Sequence, residues 1–279
     1  MTSRFFLFLL FFLLAQVLLK SIVSTKKVKE FNMKILFIRP IITSRPDVLE
    51  EEIVRPFAAA GTEVTARHLD FGPASIENEY DLVYSAPFVL KEAIRGEKDG
   101  FDGIVSYCFA NPAVEACREA VDIPVLGAGE AAMALASLVG RRIGVVTILP
   151  NILPMLHRQL AHYAAAGRLA AIRSANIPVT EIGAMSDVVL ERLCEEARIC
   201  IEKDGADTIV LGCTGFAGFA EKISKRLADC GYNVPVIDPA AASVRMIEAV
   251  IASGISSSRE AYMHPIKKEL RFPREIKEV

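Results

Sequence analysis

From Met33 onward, short apolar runs rich in β-branched residues alternate with longer segments in which apolar residues recur at helical spacing. The short runs predict strands at residues 34–39, 62–69, 102–107, 123–126, 142–147, 177–181, 207–212 and 234–237. The longer segments predict helices at residues 47–60, 112–120, 129–139, 154–166, 187–203 and 216–229. Strands that alternate with helices of this length form parallel βαβ units, so the pattern predicts an α/β fold.

The chain also contains an internal repeat. Asp102–Cys108 matches Asp207–Cys213 at an offset of 105, with the aspartate, an Ile-Val pair and the cysteine in register. Further matches keep the same order along the chain: residues 34–38 with 142–146, and residues 123–126 with 234–237. The repeat predicts two similar lobes, each a parallel sheet flanked by helices, related by a pseudo-two-fold axis with the active site between them. The predicted lobes are residues 33–127 plus a returning helix at 240–253, and residues 128–238, with a peripheral tail at 254–279.

Residues 1–32 form a hydrophobic and basic extension that is set apart from the fold. Its apolar run from Phe5 to Leu19 lies between Arg4 and Lys20, and it is shorter than the roughly 20 residues that a spanning helix needs. The run is typical of a signal peptide, but no small-residue cleavage site follows it. Three interpretations stay open: a signal, a membrane anchor, or a spurious start upstream of Met33. Contact with a membrane is expected only if the segment is a genuine anchor.

Composition and charge narrow the class of partner. The 279-residue chain is 52% hydrophobic and 24% charged, which is typical of a globular protein with a substantial core. Its net charge of -2 becomes -6 when residues 1–32, with five basic residues and one acidic residue, are left out. Such a mildly acidic body lacks the basic surface that a phosphate backbone requires. We therefore predict a small-molecule substrate and no nucleic acid, and we expect a homo-oligomer.

The cysteines are widely spaced. None of the six is part of a Cys-x-x-Cys pair, and the four histidines form no His-x-x-x-His pair. We therefore predict no metal site, reduced thiols and a cytoplasmic location, with export or anchoring through residues 1–32 as the alternative. His157 and His162 are interpreted as surface or packing residues. Four cysteines that fall within or beside predicted helices are interpreted as packing residues: Cys117, Cys194, Cys200 and Cys230.

Cys108 and Cys213 instead end the matching strands, where open α/β sheets bind their ligands. Each is followed by a turn and a predicted helix, with Asn111 as the N-cap and Pro112 as the first helical residue after Cys108. Because free amides at a helix start favour the thiolate, we expect lowered pKa values for both thiols. Two thiols on opposite sides of a carbon acid are suited to racemisation without a cofactor, since one removes a proton and the other returns it from the opposite face.

With these residues, the chain resembles the aspartate/glutamate racemase superfamily from about Met33 to Ile251, and within it looks most like the hydantoin racemase branch. The motifs that carry the resemblance are Phe71–Glu77, Cys108-Phe109, Val125–Ala132, Ser137–Arg142, Val145–Thr147 and Gly212–Gly215. The resemblance implies a cofactor-free enzyme in which Cys108 and Cys213 are the catalytic acid and base. The expected substrate-binding residues are Pro40, Ile41, Ser75, Phe109, Ala110, Thr147, Thr214 and Gly215.

Departures from the family patterns bear on the substrate. Amino-acid racemases of the superfamily carry Cys-Asn-Thr and usually Cys-Thr-His at the two cysteines, where this chain has Cys108-Phe109-Ala110 and Cys213-Thr214-Gly215. The loss of these polar groups favours a less charged, cyclic substrate, and we predict a 5-substituted hydantoin. Hydantoin racemases typically have Asn-Pro-Asn after the first strand, whereas this chain has Arg39-Pro40-Ile41, which removes an amide from the expected site.

Other functions stay open at this point. Within the superfamily, the alternatives are an amino-acid racemase of the Asp/Glu type and a maleate-isomerase-like enzyme. Outside enzymes, the alternative is a two-lobed solute-binding protein. Gly127-x-Gly129-x-x-Ala132 superficially fits a dinucleotide-binding fingerprint, but the acidic residue expected about 20 positions later is absent. We therefore interpret these glycines as packing residues in a tight turn.

Overall fold

The computed structural model describes residues 32–163, 166–183, 186–266 and 268–269. Apart from Asn32, the predicted N-terminal extension lies outside these residues, as does the end of the predicted tail at 254–279. None of the helices in the described part of the chain is long and apolar enough to span a membrane.

The described strands form two parallel sheets of four strands each. The first sheet contains β1 (Met33–Arg39), β2 (Thr62–His68), β3 (Gly103–Ser106) and β4 (Val125–Gly127). The second contains β5 (Ile143–Thr147), β6 (Leu169–Ser174), β7 (Thr208–Leu211) and β8 (Val236–Ile237). Their strand orders, β2-β1-β3-β4 and β6-β5-β7-β8, are equivalent. This arrangement confirms the predicted α/β fold of two similar lobes.

Helices flank both sheets. The α-helices are α1 (Asp47–Val54), α2 (Glu79–Lys98), α3 (Val114–Ala120), α4 (Ala128–Val139), α5 (Leu153–Leu160), α6 (Ser186–Glu202), α7 (Ala220–Asp229) and α8 (Pro239–Ala252). Short 3-10 turns lie at Arg55–Phe57, Pro150–Ile152, Ala166–Arg168, Val179–Glu181 and Thr214–Phe216. Every residue of β3 and β7 is buried, as expected for central parallel strands that are covered on both faces.

The internal repeat is reproduced in the pairing of the strands. Ile35 of β1 pairs with Gly103, and Ile143 of β5 pairs with Thr208, so the two central strand pairs share one register. The repeated aspartates, Asp102 and Asp207, also make equivalent hydrogen bonds. Asp102 accepts a hydrogen bond from the amide of Lys34 at 2.7 Å, and Asp207 accepts one from the amide of Arg142 at 3.0 Å. Each carboxylate therefore fixes the start of the neighbouring strand.

The last helix, α8, returns to the first sheet. Its apolar side chains, including Val244 and Ile247, pack in one cluster with Ile35 of β1. Glu248 adds a polar tie, since its Oε1 accepts hydrogen bonds from the amide of Ala59 and the hydroxyl of Thr62, both at 2.7 Å. The predicted returning helix therefore packs in the first lobe, while the residue at which one lobe passes into the other stays a prediction.

The structure differs from the predicted elements in several places. The strand predicted at 177–181 is wrong, because Val179–Glu181 forms a 3-10 turn after Pro178 and the edge strand β6 lies earlier, at Leu169–Ser174. Helix α2 is not predicted by the sequence pattern. The helix predicted at 47–60 ends at Val54, since Pro56 has no amide with which to continue it.

Candidate active site

Cys108 and Cys213 line one cavity of about 500 Å³ at the carboxyl ends of the two sheets. This volume is within the range of small-molecule sites, and the position is the one at which open α/β sheets bind ligands. Both lobes contribute to the lining. The predicted substrate-binding residues that the structure brings into it are Pro40, Ile41, Thr214 and Gly215.

The turn after Cys108 holds its thiol through the backbone. The thiol accepts a hydrogen bond from the amide of Ala110, and Asn111 follows in the left-handed region, with a φ of 50°. The predicted capping of α3 by the side chain of Asn111 is wrong. Its Oδ1 instead accepts hydrogen bonds from the amides of Gly129 at 2.8 Å and Glu130 at 3.3 Å. Asn111 therefore caps α4 and ties that helix to the cysteine turn, while α3 begins only at Val114.

Two glycines make this capping contact possible. A Cβ atom on Gly127 would lie 2.2 Å from Oδ1 of Asn111, and one on Gly129 would lie 2.0 Å from the carbonyl oxygen of Phe109. Neither distance is compatible with any side chain. The glycines of the motif are therefore required by the close approach of the cysteine turn to α4, which favours the packing interpretation over dinucleotide binding.

The turn after Cys213 repeats the arrangement of the thiol. Cys213 Sγ accepts a hydrogen bond from the amide of Gly215 at 3.3 Å, again two residues further along the chain. Asp238, at the start of α8, accepts hydrogen bonds from the amides of Gly218 and Ala240, both at 2.8 Å. This turn is therefore also joined by a capping side chain to the second helix that follows it, α8 here and α4 in the first lobe.

The predicted lowering of the thiol pKa values is wrong. Burial raises the pKa of Cys108 to about 11, and the hydrogen bond from Ala110 offsets only part of the rise. Burial raises the pKa of Cys213 to about 12, with further increases from negative charge at Cys108, Glu77 and Glu50. One amide per thiol is too little to replace the hydration that a thiolate loses on burial. Both groups are therefore neutral thiols near pH 7, and Cys108 ionises first.

A charged pair lies in the same cavity. Nε of Arg39 lies 3.1 Å from Oε2 of Glu50, and the two side chains are only 12% and 8% exposed. Nη1 of Arg39 and the hydroxyl of Tyr107 are buried, and neither has a hydrogen-bond partner among the described residues. Burial, followed by the nearby charge of Glu50, raises the pKa of Tyr107 well above its ordinary value. The cavity is thus more polar on the lobe 1 side than the sequence predicts.

The remaining predicted binding residues lie outside the lining of the cavity. Thr147 is fully buried, and its hydroxyl donates to the carbonyl oxygen of Gly212 at 2.9 Å. Phe109 and Ala110 are also buried, although the Ala110 amide serves the Cys108 thiol. Ser75 is half-buried beside the cleft. A direct contact between any of these four residues and substrate stays a prediction.

The structure adds lining residues that the sequence reasoning missed: Thr43, Arg45, Glu50, Ile53, Ala74, Ile76, Tyr107, Val179, Thr180, Ile182, Gly183, Ala217 and Phe219. Tyr107 carries a usable signal, since it directly precedes the strand-end cysteine. Most of the others come from loops and from α1, where no motif singles them out. They reach the cleft only because the two lobes face each other across it.

The other cysteines have no place in this cavity. Cys117 and Cys200 are buried, as predicted for packing residues, whereas Cys230 is exposed. Cys194 and Cys230 line a separate cavity of about 860 Å³ that contains neither Cys108 nor Cys213. All six thiols are free. Among the residues that the structure describes, no three or more His, Cys, Asp or Glu side chains are grouped so that they could hold a metal ion.

Comparison with known proteins identifies the family of the chain. A family model described as Asp/Glu/Hydantoin racemase matches residues 49–247. Over 238 residues, the chain is 36% identical to a hydantoin racemase of Pseudomonas sp. (strain NS671), with 85% of this chain and 94% of the relative covered. The chain belongs to the Asp/Glu/hydantoin racemase family. A hydantoin racemase of Paenarthrobacter aurescens is 34% identical, with 85% of this chain and 99% of the relative covered.

Among solved structures, this racemase is similar to an allantoin racemase from Klebsiella pneumoniae. The sequence identity is 33% and the TM-score is 0.80, with 86% of this chain and 96% of that chain covered. The relatives place the chain in the hydantoin racemase branch, as the sequence motifs predict. The protein is therefore an isomerase that acts on a small molecule, which decides against the alternative of a solute-binding protein.

Proposed function

We propose that this racemase interconverts the enantiomers of 5-substituted hydantoins, with Cys108 and Cys213 as its two acid/base groups. The observation that carries the proposal is the placement of both thiols in one cavity, at strand ends related by the internal repeat. Each thiol also accepts a hydrogen bond from the amide two residues further along the chain. Matched groups on opposite sides of a cleft are what inversion at one carbon requires.

The reaction balances with these two groups alone. A thiolate on one side removes the proton from C5, and the electron pair of the C–H bond moves into the adjacent carbonyl group to give a planar enolate. The thiol on the other side then donates its proton to the opposite face of C5. One thiol and one thiolate remain, with their positions exchanged, and no cofactor takes part.

The lining of the cavity supports a cyclic substrate with an apolar substituent. On the lobe 2 side, Val179, Ile182 and Phe219 offer apolar surface, and Ile41 faces them from lobe 1. Burying an alkyl or aryl group against such residues is favourable by about 25 cal/mol per Å². A free amino acid would instead bring two full charges, and the two buried charges of the lining, Arg39 and Glu50, neutralise each other. Burying an unpaired charge costs several kcal/mol.

The proposal is tested by deuterium exchange at C5 of 5-isobutylhydantoin in heavy water, with the uncatalysed exchange rate subtracted. We expect racemisation together with exchange, and a kcat/KM at least about a hundredfold higher than for free aspartate, glutamate or alanine, which corresponds to about 2.7 kcal/mol in the transition state. Comparable or faster racemisation of a free amino acid would contradict the substrate assignment. Isomerisation of maleate with no action on hydantoins would contradict the racemisation chemistry as well. The expected homo-oligomer and cytoplasmic location stay predictions.

A further inference from the structure

The ion pair of Arg39 and Glu50 lines the same cavity as both cysteines. Tyr107, the residue that directly precedes Cys108, lines it as well. The nearby charge of Glu50 raises the pKa of Cys213 and of Tyr107. The guanidinium therefore belongs to the wall of the cavity in which a substrate would meet the two thiols.

The guanidinium is only partly satisfied by Glu50. Nε of Arg39 is engaged by Glu50, while Nη1 is buried without a hydrogen-bond partner among the described residues. An unsatisfied buried donor is rare in native proteins and costs about 1–3 kcal/mol, more when the group is charged. An acceptor on the substrate would recover that free energy.

The fold does not require an arginine at this position. In the internal repeat, Arg39 at the end of β1 is equivalent to Thr147 at the end of β5. Thr147 is fully buried and satisfies its hydroxyl within its own sheet, on Gly212. The equivalent position in lobe 1 thus carries a long cation that lines the cavity and is paired with Glu50. Such an addition, made in one lobe only, points to recognition of an asymmetric substrate.

The chemistry identifies the acceptor. When C5 of a hydantoin loses its proton, negative charge develops on the oxygen of the carbonyl carbon next to it, C4. The amides of Ala110 and Gly215, which could have held that oxygen, are already bonded to the thiols. Among the described lining residues, the buried side-chain donors without a partner are Nη1 of Arg39 and the hydroxyl of Tyr107. A preorganised donor at a developing oxyanion is worth more than one at a neutral carbonyl.

We propose that Arg39 is a further catalytic residue, which donates from Nη1 to the C4 oxygen of the hydantoin as that oxygen becomes the enolate oxygen. Glu50 is a positioning residue that fixes the guanidinium through Nε and balances its charge. The inference rests on the proposed function. The electron pair of the C5–H bond moves onto the C4 oxygen while the proton goes to one thiolate, and it returns to C5 when the other thiol gives up its proton.

The test compares substrates as well as enzymes. Wild-type protein and the Arg39→Met variant are assayed with 5-isobutylhydantoin and with its 2-thio and 4-thio analogues, in which sulfur, a poor acceptor, replaces one carbonyl oxygen. We expect Arg39→Met to lower kcat/KM for the parent hydantoin by about 10²–10³-fold. For each enzyme, the penalty is the factor by which kcat/KM falls when sulfur replaces one carbonyl oxygen of the hydantoin. The 4-thio penalty should be at least about tenfold smaller in the variant than in the wild type, while the 2-thio penalty should be the same within about twofold. Comparing the penalties cancels the intrinsic reactivity of each analogue.

Two more variants keep the test decisive. Arg39→Met alone leaves Glu50 buried without its partner, so the double variant Arg39→Met/Glu50→Gln is assayed beside it and should show the same loss of sensitivity at C4. Arg67→Met is the matched control, because Arg67 is likewise paired with a buried glutamate, Glu92, but does not line the cavity, and its penalties should equal those of the wild type.

Equal 4-thio penalties in wild type and variants, or coupling to the C2 position instead, would overturn the role of Arg39. Absence of wild-type activity on every hydantoin would instead overturn the proposed function.

Discussion

The turn after Cys108 and the turn after Cys213 hold their thiols in the same way but are anchored from opposite directions. In both, the thiol accepts a hydrogen bond from the amide two residues further on. Asn111, within the first turn, reaches out to cap α4. In the second lobe the cap comes from the helix, since Asp238 precedes α8 and reaches back to Gly218.

The two lobes differ more strongly beside the thiols. The strand ends of lobe 1 carry Arg39 and Tyr107, which line the cavity and each hold a buried, unpaired donor. The equivalent positions of lobe 2 carry Thr147 and Gly212, which bond to each other and do not line the cavity. The repeat has therefore kept the strand-end cysteines alike, as the proposed inversion requires, while the polar groups proposed for recognition lie on one side. An asymmetric substrate needs that difference in order to bind in one orientation.

The largest expected effect comes from removing either thiol. We expect Cys108→Ser and Cys213→Ser each to lower kcat/KM for racemisation by about 10⁴-fold, because a serine hydroxyl is far too weak an acid for either step. Each variant should still exchange the C5 proton of one enantiomer, and the two variants should differ in which. Proton NMR on separate enantiomers in heavy water measures this. Exchange of the same enantiomer by both variants would refute the opposed placement of the thiols, and Cys230→Ser serves as the control at an exposed cysteine.

The opposite anchoring predicts different costs for losing the two caps. Asp238→Ala should lower the free energy of unfolding by about 1–2 kcal/mol, as is usual for an N-cap. Asn111→Ala should cost more, because alanine adds about 1 kcal/mol of strain at a φ of 50°. Urea unfolding curves measure both values, and Asp238→Asn, which keeps only one of the two accepting oxygens, should recover only part of the loss. A larger loss for Asp238→Ala than for Asn111→Ala would contradict the comparison.

The two thiols should also differ in reactivity. Burial raises the pKa of Cys108 to about 11, whereas burial and the nearby charges of Cys108, Glu77 and Glu50 raise the pKa of Cys213 to about 12. We therefore expect Cys108 to form the thiolate more readily and to be alkylated first. Pulsed iodoacetamide labelling with peptide mapping tests the order.

The same values set the pH dependence of catalysis. Because the thiolate is the base and its share rises with pH, kcat/KM should increase from pH 7 through pH 9 with no plateau in that range. A plateau below pH 8 would show that the thiol pKa values are lowered in the working enzyme. In the labelling experiment, faster alkylation of Cys213 than of Cys108 would contradict the expected order of the two thiol pKa values.

The smallest expected difference lies at the repeated aspartates. Asp207 accepts hydrogen bonds from two amides, those of Arg141 and Arg142, whereas Asp102 accepts one from Lys34. Both are exposed, so each bond is worth little. We expect Asp207→Ala to cost about 1 kcal/mol and Asp102→Ala about half of that, measured by thermal unfolding. Equal costs would mean that the number of amides held does not matter.

Much of this architecture is predictable because periodicity and the internal repeat agree with each other. Helix α2 escapes prediction because its buried face is not uniformly apolar. That face mixes Val89 with small or polar residues such as Ser85 and Gly96, while Tyr80 and Val83 are exposed and Pro87 lies inside the helix. Strand β6 escapes because it is a half-buried edge strand with an alanine-rich sequence. Amphipathic periodicity carries no information where burial is partial or reversed.

In the site, the thiols are predictable and their surroundings are not. A cysteine at the end of each repeated strand can be found by aligning the chain with itself. The pairing of Arg39 with Glu50 cannot, because the two residues lie on β1 and α1 and meet only in the folded lobe. The raised pKa values of the thiols have the same origin, since they come from burial by both lobes together rather than from the local turn.

The packing of α8 against the first sheet determines the order in which the two lobes complete their cores during synthesis on the ribosome. The strands of that sheet leave the ribosome first, yet the helix that covers one face, at Pro239–Ala252, leaves more than a hundred residues after β4. At about 5–20 residues per second the apolar face formed by Ile35 and Phe37 waits roughly ten seconds for its cover. The second sheet meanwhile is made as one continuous stretch of chain. The amino-terminal half of the enzyme is therefore completed last, and a nascent chain halted before α8 would leave the ribosome with an open core.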